Sequence, residues 1–151
     1  MPHRDDAVIV GSVAATAGLG ALATGSVPSG RWYRGLDTPS WQPPGAVFGP
    51  VWTVLYALIA TSMLVVRRRE RPPWVLLGSN LALNLAWTII FFRGRSPLAA
   101  GVEIVVLEAT TIALVVRARP VSRLAALCLV PYALWVALAT ALTWTIWARN
   151  R

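Results

Sequence analysis

Five uninterrupted apolar runs decide what this chain can fold into. They read VIVGSVAATAGLGALATGSV (8–27), AVFGPVWTVLYALIATSMLVV (46–66), WVLLGSNLALNLAWTIIFF (74–92), PLAAGVEIVVLEATTIALVV (97–116) and LAALCLVPYALWVALATALTWTIW (124–147). Each approaches the ~20 residues that carry a helix across a bilayer core. In lipid only helices and closed barrels satisfy every backbone polar group, and runs this long form helices. Charged residues make up 13% of the chain, roughly half of what a soluble domain carries. The expectation is an all-α membrane protein, a bundle of five transmembrane helices forming one domain over 1–151. The first run exceeds the core of a cleaved leader, and Asp5 and Asp6 stand where a leader carries basic residues. It is expected to stay as the first span.

Several function classes fall away on composition. Cys128 is the single cysteine and His3 the single histidine, so neither a disulfide framework nor a His/Cys metal site is expected. No Ser/His/Asp triad, phosphate-cradling glycine loop or metal cluster stands in the sequence. The net charge is +8 and all 14 basic residues are arginine. They sit at span ends, as in RRRER (67–71), RGR (93–95) and RARPVSR (117–123), where arginine sets topology and meets lipid head groups. No nucleic-acid partner is expected. Eight arginines fall on the side of the N-terminus and six on the other, a weak bias toward a cytoplasmic N-terminus.

Most connections are short, so neighbouring spans are expected to run antiparallel. The exception is 28–45, rich in Gly, Pro and Ser yet carrying Trp32, Tyr33 and Trp41. Disordered segments are poor in aromatics, so this loop is expected to form an ordered cap over one end of the bundle. The first span is crowded with small residues, Gly11, Ala14, Ala15, Gly18, Gly20 and Ala21, which permit close helix packing or leave room beside that helix.

Projection at about 100° per residue places Gly78, Ala82 and Ala86 on one stripe of the third span, a pattern of helix packing or dimerisation. Asn80, Asn84, Trp87 and Phe91 fall on the opposite side. Amides facing lipid are costly, so this side is expected to face inward, for interhelical hydrogen bonds or for a ligand. The second span groups Phe48, Trp52, Leu55, Tyr56, Ile59 and Met63; the fifth groups Pro131, Tyr132, Trp135, Leu138, Ala139 and Leu142. Three helices thus each carry an aromatic face with sparse polar tips, the composition of small-molecule pockets and also of plain core. Trp32, Trp74 and Trp147 lie at segment ends and read as interfacial belt residues. Glu103 and Glu108 lie inside the fourth span, roughly 140° apart by the same projection. They do not form a paired acid/base site, and Glu108 is expected to bond to a neighbouring helix.

Three motifs, WYRGLDTPSWQPPGAVFGPVWTVLY (32–56), NLAWTIIFF (84–92) and PYALWVALATALTWTIWARN (131–150), closely resemble those of the TspO family. These are the tryptophan-rich sensory proteins of bacteria, related to the translocator protein or peripheral benzodiazepine receptor of mitochondria. The resemblance implies a five-helix bundle, often a homodimer, that binds porphyrins and other lipophilic ligands, with a role in sensing or tetrapyrrole homeostasis and no obligatory cofactor. It implies a pocket lined by Trp52, Asn84, Trp87, Trp135 and Ala139, with Trp41 in the loop that covers it. It also raises light- and oxygen-dependent porphyrin breakdown, with Trp41 and Trp135 as electron donors. The sequence departs from the family pattern at Thr38 (often lysine), Ala46 (often tryptophan) and Ile89 (often proline). These departures imply a missing cation, a looser pocket mouth and a straighter third helix. The sterol-recognition pattern of animal members is broken by Trp144, Thr145 and Ala148.

Overall fold

The computed structural model describes residues 2–26 and 30–151; Val27, assigned above to the first span, and Pro28 and Ser29 of the loop lie outside the described residues. Helix α1 spans Pro2–Thr24, the four-residue α2 Arg31–Arg34, α3 Gly45–Arg67 and α4 Trp74–Thr88. A π-helical turn, Ile89–Arg93, continues α4, and α5 (Pro97–Ala118) and α6 (Arg123–Arg149) complete the chain. Five of these segments, counting α4 with its π turn as one, are long and apolar enough to cross a membrane. The protein is an integral, multi-pass membrane protein built as an all-α five-helix bundle.

Helix α1 begins at Pro2, earlier than the apolar run at 8. Asp5 lies in its first turn, where the positive end of the helix dipole favours a carboxylate. Asp6 forms an ion pair with Arg67 at the last turn of α3, fastening two antiparallel spans at one end. Other boundaries follow from capping. Ser96 accepts from the Ala99 amide and Pro97 opens α5, while Ser122 accepts from the Ala125 amide to start α6. Each satisfies a first-turn N–H that has no partner inside its own helix. Pro72 and Pro73 precede Trp74 and hold the chain out of helix between α3 and α4.

The third span is not the straight α-helix anticipated from Ile89. It widens into the π turn, with the Gly94 amide donating to the Ile89 carbonyl at 2.9 Å. Isoleucine keeps the N–H that proline lacks, so the ladder loosens here rather than breaking. The turn ends tightly. A Cβ on Gly94 would lie 2.7 Å from the Ile90 carbonyl oxygen, and the following Arg95 takes a positive φ of 51°. Arg93 donates to the carbonyls of Ala23 (2.8 Å) and Leu22 (3.1 Å), capping the C-terminal end of α1 and holding it to the π turn.

The cap is tied to the C-terminal end of α6. Asn150 accepts from the Asp37 amide at 2.9 Å and donates to the Asp37 carbonyl at 3.0 Å, while Arg149 pairs with the Asp37 carboxylate at 3.3 Å. Trp32 and Tyr33 of α2 pack edge-on against Phe91 at 5.8 and 6.5 Å between centroids. Trp32 is therefore part of the cap's packing as well as a span-end residue. Pro39, Pro43 and Pro44 precede α3, with Pro44 at its N-cap position, and stiffen the chain before the helix, while Pro50 lies inside α3 and removes one donor from its ladder.

Gly94→Ala is expected to destabilise the protein by about 1–3 kcal/mol, read as a lower thermal midpoint in detergent. The neighbour that the new methyl group meets is backbone and cannot swing aside.

Candidate functional site

A cavity of about 700 Å³ opens under the cap, within the ~300–1,000 Å³ range of small-molecule sites. Its walls come from α1, α3, α4 with the π turn, and α6; Tyr33 and Pro43 of the cap segment close its top. Helix α5 contributes nothing to it. Small residues of α1 make the room: Ala17, Gly20, Ala21 and Thr24 line one wall. A Cβ on Gly20 would already stand 3.9 Å from the Tyr56 hydroxyl across the gap. The glycines and alanines of the first span thus serve space beside the helix at this level.

The opposite wall is aromatic. Trp52 lies 5.5 Å from Tyr56 and 6.4 Å, at 87°, from Trp135, which in turn sits 5.5 Å from Phe48. Trp87 stacks on Phe91 at 5.3 Å and 19°. Offset and edge-on pairs suit the ring quadrupoles and hold the indoles in place. None of the lining residues is charged. Thr88 and Thr143 donate to carbonyls of their own helices. The indole N–H groups of Trp87 and Trp135 are buried with no hydrogen-bond partner. An unpaired buried donor costs roughly 1–3 kcal/mol; both nitrogens are enclosed by protein, and it is the ring faces of these residues that the cavity offers a guest.

Beneath the aromatic wall runs a closed hydrogen-bond relay. Tyr56 donates to Asn84 Oδ1 (2.9 Å), Asn84 Nδ2 to the Tyr132 hydroxyl (3.0 Å), and Tyr132 to Asn80 Oδ1 (2.9 Å). Asn80 Nδ2 then donates to Thr111 (2.9 Å) and Thr110 (3.0 Å). Tyr132, Asn80 and Thr111 are fully buried. One chain of bonds thereby joins α3, α4, α6 and α5.

Of the residues singled out in the sequence, Phe48, Trp52, Tyr56, Trp87, Phe91, Trp135, Leu138, Ala139 and Leu142 line the cavity. Asn84 and Tyr132 stand behind it in the relay. Trp41 does not line it and is 47% exposed. A turn in which the Gln42 amide donates to the Pro39 carbonyl sends Trp41 outward, while Gln42 holds the Tyr33 hydroxyl at 3.1 Å. Tyr33 and Phe92 are lining residues that projection alone missed. Tyr33 belongs to a loop without helical period, and Phe92 reaches the wall through the π turn, which rotates it off the α-helical projection. Thr38 and Ala46, the two cap positions that depart from the family pattern, do not line the cavity. Glu108 does not gain the interhelical bond expected of it: its Oε2 has no partner, nor has either carboxylate oxygen of Glu103. The hydroxyls of Thr140, Thr143 and Thr145 on α6 donate to their own helix. Gly78 and Ala82 lie on the exposed outer face of α4, Ala86 at its edge.

On the far side of Trp135 and Leu138 lies a shallow apolar groove on the lipid-facing surface, formed with Pro50, Val54, Pro131 and Leu134. Trp135 and Leu138 line both this groove and the cavity.

Tyr132→Phe is expected to cost about 1–3 kcal/mol, because it removes the donor to Asn80 and the acceptor of Asn84 together. Tyr56→Phe, which removes one terminal bond, is expected to cost less. Thermal melts of the two variants in the same detergent check the order.

Comparison with known proteins agrees with this architecture. The model of the TspO/MBR family matches residues 7–148. The chain is 35% identical over 123 residues to the tryptophan-rich protein TspO of Bacillus cereus, covering 79% of this chain and 80% of that protein. It is 38% identical over 127 residues to the translocator protein of Homo sapiens (80% and 75%). It is also 38% identical over 138 residues to the protein CrtK of Rhodobacter capsulatus (86% and 86%).

Proposed function

This chain belongs to the TspO/MBR family, and on that premise we propose that it is a membrane receptor or carrier for tetrapyrroles and other flat lipophilic ligands. The observation that carries the reading is the composition of the cavity wall: indole and phenyl faces with no charged side chain among the described lining residues. Stacked aromatic faces contribute about 0.5–1.5 kcal/mol per pair beyond the area they bury. A planar macrocycle uses several such faces at once. The wall shared by Trp135 and Leu138 with the lipid-facing groove supports a ligand that partitions into the bilayer first.

The uncharged lining also orients the guest. A carboxylate buried without a cation is costly, so the carboxylates of a porphyrin stay toward the cap, at the water-facing end of the bundle, and the ring lies deeper. Neutralising them therefore leaves binding intact.

Titration of the purified protein with a dicarboxylic porphyrin is expected to quench tryptophan fluorescence saturably, and the diester of that porphyrin is expected to bind at least as tightly. Trp135→Ala is expected to weaken binding by about tenfold, and Gly20→Leu to weaken it by filling the space beside α1, with the thermal midpoint held. Unchanged affinity in both variants places the ligand elsewhere.

A second reading is favoured by the contact of Trp135 with Trp52: light- and oxygen-dependent breakdown of a bound porphyrin, with Trp135 supplying an electron to the excited ring. Trp41 is a poor donor by position, being exposed and outside the lining. On illumination in air, this reading expects the Soret band to decay faster with protein than without. The acceleration is lost in Trp135→Phe and kept in Trp41→Phe. Decay at the free-porphyrin rate excludes it.

A further inference from the structure

The two ends of the bundle use their arginines differently. At the cap end Arg93 caps α1, Arg149 pairs with Asp37, and Arg151 lies over the Trp147 ring at 5.3 Å. At the other end Arg67 pairs with Asp6 and Arg69 donates to the Val121 carbonyl at 2.8 Å. Among the described residues, Arg68, Arg71, Arg117, Arg119 and Arg123 there have no ion-pair or hydrogen-bond partner for their side chains. Two of them, Arg71 and Arg117, border a crevice of about 250 Å³ between the α3–α4 and α5–α6 connections. The crevice floor is apolar, with Met63 and Val66 of α3 and Leu114 and Ala118 of α5, all four buried. Pro73, Pro120 and Val121 form its sides. The Arg69 bond to Val121 spans the two connections and sets their separation.

We propose that this crevice binds the phosphodiester head group of an anionic phospholipid, with Arg71 and Arg117 on the phosphate. The crevice lies where two spans leave the bilayer, α3 at Arg67 and α5 at Ala118, the level at which head-group phosphates sit. Guanidinium pairs phosphate oxygens through parallel N–H donors. One carboxylate, Glu70, also lines the crevice and is unpaired. Two guanidiniums against one carboxylate leave the site cationic, and Arg68 and Arg119 on the adjoining connections add to that field. The shared chemistry is a phosphate oxyanion, which a lipid and a free phosphate both offer. Val116 decides for the lipid: it lines the crevice and is exposed on α5, so glycerol and the first methylenes of a lipid gain apolar contact there, whereas a hydrated free ion gains nothing from it. The prolines on both connections restrict backbone freedom around the crevice.

Native mass spectrometry of the purified full chain, equilibrated with equal amounts of phosphatidylglycerol and phosphatidylcholine, tests this. The wild type is expected to retain phosphatidylglycerol preferentially. The preference is expected to fall by about fivefold for each arginine removed in Arg71→Gln and Arg117→Gln, and to rise in Glu70→Gln. Arg71→Lys with Arg117→Lys, which keeps the charge but lacks the parallel donors, is expected to lose less of it than the double glutamine variant and to fall short of the wild type. The double variant Arg31→Gln with Arg34→Gln, at the cap end, is expected to leave it unchanged. An equal loss in the cap-end variant means general surface charge and overturns the site. So does no preference in the wild type, an unchanged preference without Arg71 and Arg117, or displacement of the lipid by millimolar inorganic phosphate. Porphyrin titration of the same variants, which do not touch the cavity, confirms that they are folded.

Discussion

The relay from Tyr56 to Thr111 is the interaction on which the rest of the bundle depends. Lipid tails are as apolar as leucine, so burying leucine between spans gains little over leaving it in the bilayer. Helices in this solvent are held by close packing and by polar groups that must find partners. Here Tyr132 both accepts and donates at the centre, and Asn80 and Asn84, one turn apart on α4, each use both ends of the amide. Because every member is satisfied, the four helices have one register that keeps all the bonds. Ser62 of α3, donating to the Ala125 carbonyl of α6 at 2.8 Å, repeats the device nearer the far end.

The cavity is a consequence of where that relay stops. Toward the cap, α1 presents glycine and alanine instead of bulky side chains, so the bundle cannot close against Trp52 and Trp87. The gap is roofed by a loop stiffened by prolines and fastened through Asp37 to Asn150. At the other end α1 presents Ile9 and Val13, both buried in the core, and the unpaired arginines lie at or beyond the span ends. On the two proposals above, one end takes a flat guest and the other a lipid phosphate, and the relay joins the helices that form both.

Much of this was readable residue by residue. The inward side of α4 was legible because two asparagines in an apolar run have few tolerable places in lipid. Projection could not divide that side into Asn80 and Asn84, which bond other helices, and Trp87 and Phe91, which face the cavity. The division depends on the height of α3 and α6 beside them. Trp41 was misplaced for a related reason: a Pro-rich loop has no period from which direction can be read, and a single turn at Pro39–Gln42 sent it outward. The π turn left no signal at Ile89, since a helix that merely loosens keeps every residue type that a helix prefers.

The number of spans, the boundaries of the last four to within two residues, and the aromatic faces were determined by the sequence alone, while α1 begins six residues before its apolar run. Lipid imposes helix on any apolar run of that length, and helical period then fixes which residues share a side. Only the tertiary structure decided that these sides enclose a cavity, that Asn84 and Tyr132 stand behind it, and that Arg71 and Arg117 border one crevice. Those facts depend on distances between helices far apart in the chain. Such distances are set by the relay and by the small residues of α1 acting together, and no local pattern carries them.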